Sequence, residues 1–200
     1  MLGLGGRREL RYQDARRRGC RRPGGGAVFP VVGLQRTLND EHPYTIVAAK
    51  ELGRDLHALG QVDAARQLHE DTLARALRVL GEDHLYTMDS VNSLASDLYA
   101  LGEFTAARDL AEDTLARAQR VFGDESYFTM DVANNLATAL RALGELEATR
   151  QLSEDTLARA RRVSGDDHPR TVKAAGNLAA AQRLSSEWAH QGNSDPADES

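Results

Sequence analysis

One 42-residue phrase is written three times in this chain, and a fourth copy begins: the copies start at His42, His84, Ser126 and His168. Each complete copy closes on the same words, at Asp71-Thr72-Leu73-Ala74-Arg75-Ala76, at Asp113-Thr114-Leu115-Ala116-Arg117-Ala118 and at Asp155-Thr156-Leu157-Ala158-Arg159-Ala160. A fixed period in this range marks a solenoid, because each unit can bury its apolar face only against its neighbours. The expected division is a basic leader or degenerate repeat over 1–36, repeats over 42–83, 84–125 and 126–167, a capping helix over 168–190 and a disordered tail over 191–200.

Each unit reads as two helices. Helix A of the first copy is expected from Pro43 to Leu59 and helix B from Val62 to Leu80. Gly60, Gly102 and Gly144 end the A helices, and Gly81, Gly123 and Gly165 end the B helices, as left-handed stops require. The acids before each helix A (Glu41, Asp83, Glu125, Asp167) are the expected N-caps. With only Gly60-Gln61 between them, A and B must pack antiparallel. Val91, Leu94, Ala95, Leu98 and Leu101 follow helical spacing, as do Val62, Ala65, Leu68, Thr72, Ala76 and Val79. Ala65 and Ala107 allow close helix approach, while Thr149 in the same place predicts looser packing in copy three. Asp71–Arg75, Asp113–Arg117 and Asp155–Arg159 are acid-before-base pairs expected on the outer face of helix B. Trp188 is expected to pack back onto the end of copy three.

Charge is divided unevenly. Residues 1–36 carry nine Arg against Glu9 and Asp14, a net of +7; the remainder carries 16 basic and 28 acidic residues, a net of −12. The repeat body is therefore a poor nucleic-acid binder. No apolar run approaches the ~20 residues that span a bilayer, so no membrane partner is expected. Cys20 is the only cysteine, which fits a reducing, cytoplasmic setting. Only Lys50 and Lys173 among the 25 basic residues are lysine, a bias that a GC-rich bacterial genome would produce.

Asn134-Asn135-Leu136-Ala137, the turn Leu143-Gly144-Glu145, Glu147-Ala148 and the close Val79-Leu80-Gly81-Glu82-Asp83-His84 resemble tetratricopeptide repeats of the kinesin-light-chain type, whose units have 42 residues. The resemblance covers 42–184, and its wording is similar to actinobacterial members, including those of the FxSxx-COOH peptide-maturation system. It departs from the general repeat at His69, Ala111 and Ser153, where helix B prefers an aromatic, and at Thr72, Thr114 and Thr156, where Ala is usual. The fold so implied is an all-α, right-handed α-solenoid.

The resemblance also implies a concave groove lined by helix A. Aligning on Leu52, Leu94, Leu136 and Leu178 places Val47, Lys50, Arg54 and His57 there, then Asp89, Asn92, Ser96 and Tyr99, then Asp131, Asn134, Thr138 and Arg141, then Lys173, Gly176, Ala180 and Arg183. The face is polar where a buried face would be apolar, and the alternative is a solvated helix face that binds nothing. Asn92 and Asn134 can each donate and accept to an extended peptide backbone. The bases Lys50, Arg54, Arg141, Lys173 and Arg183 outnumber Asp89 and Asp131, which favours an acidic peptide or a free carboxylate.

Nothing assembles a catalytic centre. His42, His84 and His168 lie a whole repeat apart, too far to share one metal ion, and read as helix starts. His57 and His69 lack a zinc-protease pattern, Cys20 has no paired base, and no phosphate loop or Walker sequence is present. A carboxylate pair from Asp89 and Asp131 has no companions. The expected function is a non-catalytic scaffold that needs no cofactor or metal and whose partner is a protein or peptide. The alternatives are a regulatory array packing on a bacterial nucleotide-binding signalling domain, and a truncated fragment with no function of its own.

Overall fold

The computed structural model describes residues 38–192. The expectations for the leader, 1–36, and for the tail beyond 192 lie outside the described residues. Within them are seven helices and no strand. The A helices are α1 (Pro43–Ala58), α3 (Leu85–Ala100) and α5 (Tyr127–Ala142); the B helices are α2 (Val62–Leu80), α4 (Phe104–Phe122) and α6 (Leu146–Ser164); α7 (Pro169–Gly192) is a further helix A. No helix among the described residues is long and apolar enough to cross a membrane.

The A-to-B turn is built from backbone bonds. Gly60 has φ 77°, its N–H donates to the His57 carbonyl at 2.9 Å, and the Gln61 N–H donates to the Leu56 carbonyl at 2.9 Å. This paired closure satisfies carbonyls the helix leaves open, and it needs a residue without Cβ strain at positive φ. It repeats at Gly102 and Gly144.

The start of helix A differs from the sequence expectation. The cap is the histidine, not the acid before it: Nδ1 of His42, His84 and His168 accepts the N–H of Tyr44, Tyr86 and Arg170 at 3.2, 3.1 and 3.2 Å. His42 and His84 have extended backbone (φ −69° and −78°), which stands the ring over that amide. The acids lie one residue too early to reach it. Glu41, Asp83 and Glu125 instead meet Arg78, Arg120 and Arg162, in the last turn of the next helix B along the chain, at 2.8, 2.7 and 2.5 Å. Ser126 keeps the extended backbone but makes no side-chain cap bond.

The core is thin and continuous. Leu94, Leu98, Ala107 and Ala139 form one cluster, and Ala111, Leu115, Val132, Ala133, Leu136 and Leu140 the next. Val79, placed on the inner stripe by spacing, is 37% exposed in the last turn of α2. Thr149 does not loosen its layer: it is fully buried and its hydroxyl donates to the Glu145 carbonyl at 2.8 Å. The expected pairs form at 2.6 Å (Asp71–Arg75), 2.9 Å (Asp113–Arg117) and 3.8 Å (Asp155–Arg159). Their arginines are not on an outer face, since Arg75 is buried and Arg117 also reaches Glu82, at 2.5 Å.

Neighbouring A helices touch one another (α1 with α3, α3 with α5, α5 with α7), whereas among the described residues no two B helices pack together. The stack therefore curves with the A helices on its inner wall. α7 packs on both α5 and α6, and Trp188 lies over the Gly144 turn, 3.6 Å from where a Gly144 Cβ would stand.

Candidate functional site

The inner wall holds a polar pocket of about 400 Å³. Arg54 and His57 come from α1, Asp89, Asn92, Ser93, Ser96 and Asp97 from α3, Asp131 and Asn135 from α5, and Lys173 from α7, with His69 of α2 at its floor. A second hollow of about 350 Å³ shares His57, Ser96, Asn135 and Lys173 and adds Tyr99, Thr138 and an alanine floor that includes Ala107 and Ala111. Helical spacing brings these side chains to one face, and contact between A helices brings the faces together.

The carboxylates of the pocket are all occupied. Asp89 accepts from the Lys50 ammonium. Asp131 is held by the Arg170 guanidinium through two bonds, at 2.6 and 2.8 Å, and that guanidinium also lies 4.8 Å from the centre of the Tyr127 ring. Asp97 is fully buried, with His57 Nδ1 2.7 Å from one oxygen and His69 Nδ1 2.5 Å from the other. The cations are less committed. Among the described residues Arg54 meets only Glu51, at 3.6 Å. The Lys173 ammonium donates to Asn135 Oδ1 at 2.6 Å, and burial of that end of the side chain lowers its pKa, with Asp131 acting in the opposite direction. Asn135 Nδ2 in turn donates to Asn92 Oδ1 at 2.8 Å, so a polar rung crosses α3, α5 and α7.

Of the residues read from the sequence, the first pocket unites Arg54, His57, Asp89, Asn92, Ser96, Asp131 and Lys173, and the second takes in Tyr99 and Thr138. Four stand elsewhere. Lys50 is 4% exposed and spans from α1 to Asp89 and Glu51. Asn134 is 1% exposed under α7, where Nδ2 donates to the Arg170 carbonyl at 3.3 Å and its own carbonyl accepts from Asn177 at 3.1 Å. Half-buried Arg141 and exposed Arg183 line neither hollow. Lys50 and Asn134, two residues before the central leucine, are covered by the next helix A, whereas Asn92 at the same place in α3 stays open to the pocket. One residue before that leucine, Ser93 and Asn135 face the groove. Spacing along a single helix does not reveal Asp97 and His69, which meet only through the packing of α2 on α3. The signal for them was a set of three departures, an acid at an apolar spacing, a histidine in an aromatic's place and Gly53 inside a helix.

The sequence profile of the Tetratricopeptide repeat family matches residues 44–120 and 85–148, and a second profile with the same description matches 129–170. A comparison with curated proteins finds no match. Among solved structures, the kinesin light chain nearly identical TPR-like repeats of Podosopora anserina superpose with a TM-score of 0.64 at 27% identity, covering 78% of this chain and 74% of theirs. A singly substituted form of those repeats gives 0.65 at the same identity and coverage. BtubC (BKLC) of P. vanneervenii gives 0.58 at 20% identity, over 78% of this chain and 68% of that one, a likeness of fold alone. The matched profiles run through the same helix pairs that build the groove, and on that basis the chain belongs to the tetratricopeptide repeat family, its fold that of kinesin light chain-like arrays.

Proposed function

We propose that this protein is a non-catalytic scaffold that holds an extended, acidic peptide segment of a partner protein along its A helices. The observation that carries the reading is the pairing pattern in the pocket. Asp89, Asp97 and Asp131 each have a cationic or imidazole partner within the chain, while among the described residues Arg54 meets a carboxylate only at 3.6 Å, on exposed Glu51 of its own helix, and Lys173 donates to an amide oxygen and forms no ion pair. A guest carboxylate supplies what these two lack, through charge-assisted bonds that are stronger than neutral ones. Asn92, whose amide oxygen accepts from Asn135 and whose amide N–H groups make no bond among the described residues, suits a peptide carbonyl. A cytoplasmic setting fits the single cysteine.

The side-chain bonding supports binding rather than chemistry. His57 backed by Asp97 has the arrangement of an oriented base, but the neighbouring Ser93 and Ser96 hydroxyls donate to the carbonyls of Asp89 and Asn92, both at 3.0 Å. Neither is aimed at the ring as a nucleophile.

The test is selection from a displayed peptide library by the full chain and by Arg54→Glu with Lys173→Glu. Wild type is expected to enrich acidic, extended sequences, and the charge-reversed form to bind them at least about tenfold more weakly, the scale of one lost charge-assisted contact. Equal enrichment of the same sequences by both proteins overturns the reading.

A further inference from the structure

His57 stands where the two hollows meet. Its ring is held from behind, with Nδ1 2.7 Å from Asp97 Oδ1. The other Asp97 oxygen lies 2.5 Å from His69 Nδ1, and His69 Nε2 lies 3.1 Å from the Lys50 carbonyl oxygen. A carbonyl oxygen only accepts, so His69 Nε2 carries a hydrogen. The short contact between His69 Nδ1 and Asp97 holds a second one. Wherever that shared proton rests, the buried His69–Asp97 pair has no net charge. The remaining Asp97 oxygen is an acceptor, so His57 Nδ1 carries its hydrogen towards it. In the neutral ring Nε2 is then a bare lone pair on the far edge, with no partner among the described residues.

The charged and titratable groups that line the two hollows with this ring are Arg54 on α1, His69 on α2, Asp89, Asp97 and Tyr99 on α3, Asp131 on α5 and Lys173 on α7, and of these helices α2 and α3 pack on α1. A carboxylate entering between Arg54 and Lys173 meets that lone pair, which repels it. A proton on Nε2 converts the repulsion into a third charge-assisted bond. The buried pair is what makes this possible, because it fixes the ring with Nε2 as the edge that changes.

We propose that His57 is the groove's specificity-determining residue, taking up one proton on Nε2 as an acidic guest binds, with His69 and Asp97 as its positioning residues. This rests on the acidic-peptide reading above. Binding one guest then consumes at most one proton, and affinity rises by at most about tenfold per pH unit as pH falls.

The experiment uses fluorescein-labelled hexaglutamate and the full chain at constant ionic strength, at about pH 8, 7 and 6, where glutamate stays ionised. Wild type is expected to bind progressively tighter from pH 8 to pH 6. His57→Gln is expected to bind with an affinity that does not change across the range. Equal binding by wild type at all three values, or an unaltered pH profile in His57→Gln, overturns the proposal and leaves the acidic-peptide reading standing. No binding by wild type at any value counts against both. Imidazole 15N spectra of the free protein at about pH 8 give an independent measure: His57 is expected as the Nδ1–H tautomer, and an Nε2–H tautomer overturns the proposal even if hexaglutamate binds.

Discussion

Gly53 of α1 and His69 of α2 meet so closely that a Cβ on Gly53 would lie 2.6 Å from Cδ2 of the His69 ring and 2.8 Å from its Cε1. The glycine is the notch that lets the ring reach the Lys50 carbonyl and Asp97. Replacing glycine by alanine inside a helix ordinarily stabilises by ~0.5–1 kcal/mol. Here the enclosed ring has nowhere to go, and overpacking costs ~1–3 kcal/mol, so the steric effect wins. Gly53→Ala is expected to lower the midpoint of thermal unfolding followed by circular dichroism. Gly176→Ala, on α7 where a Cβ meets nothing within 4 Å, is expected to raise it. Equal shifts at the two sites would show that His69 is not seated as described.

The cap and the acid before it separate in a second pair of variants. His84→Ala removes the acceptor for the Tyr86 N–H and is expected to cost ~0.5–2 kcal/mol in urea unfolding. Asp83→Ala breaks only an exposed pair with Arg120 and is expected to change stability by less than ~0.5 kcal/mol. His84→Asn is expected to recover most of the loss, since asparagine also caps. A larger cost at Asp83 than at His84 would return the cap to the acid.

Lys173 gives a pH prediction with a definite sign. Burial lowers its pKa below the ordinary lysine value of 10.5. Between the lowered folded value and the unfolded one, the unfolded chain binds more protons, so this lysine makes the fold more stable as pH rises through that window. Subtracting the Lys173→Gln profile from that of wild type, both taken by thermal unfolding from neutral to alkaline pH, should leave a difference that rises with pH. A flat or falling difference would contradict the lowered pKa of Lys173.

The helices and turns were readable from the sequence because local demands set them. Positive φ at Gly60, Gly102 and Gly144 and apolar spacing within each helix need no knowledge of the neighbours. The site was readable only where a helical wheel decides the outcome, as for Arg54 and Ser96. Lys50 and Asn134 were misplaced because their surroundings come from the next helix A, through Asp89 for one and Arg170 for the other. Asp97 was invisible because its meaning depends on His57 and His69, 40 and 28 residues away in sequence. Along its own helix it is only an acid at an apolar spacing.

The central claim, that a guest lies along the inner wall, is tested most directly by amide chemical-shift mapping. The 15N-labelled full chain is titrated with the tightest peptide from the library selection. The largest shifts are expected at Arg54, Asn92, Asn135 and Lys173, on four successive A helices. Shifts confined to the outward faces of α2, α4 and α6, with those four residues unmoved, would contradict it.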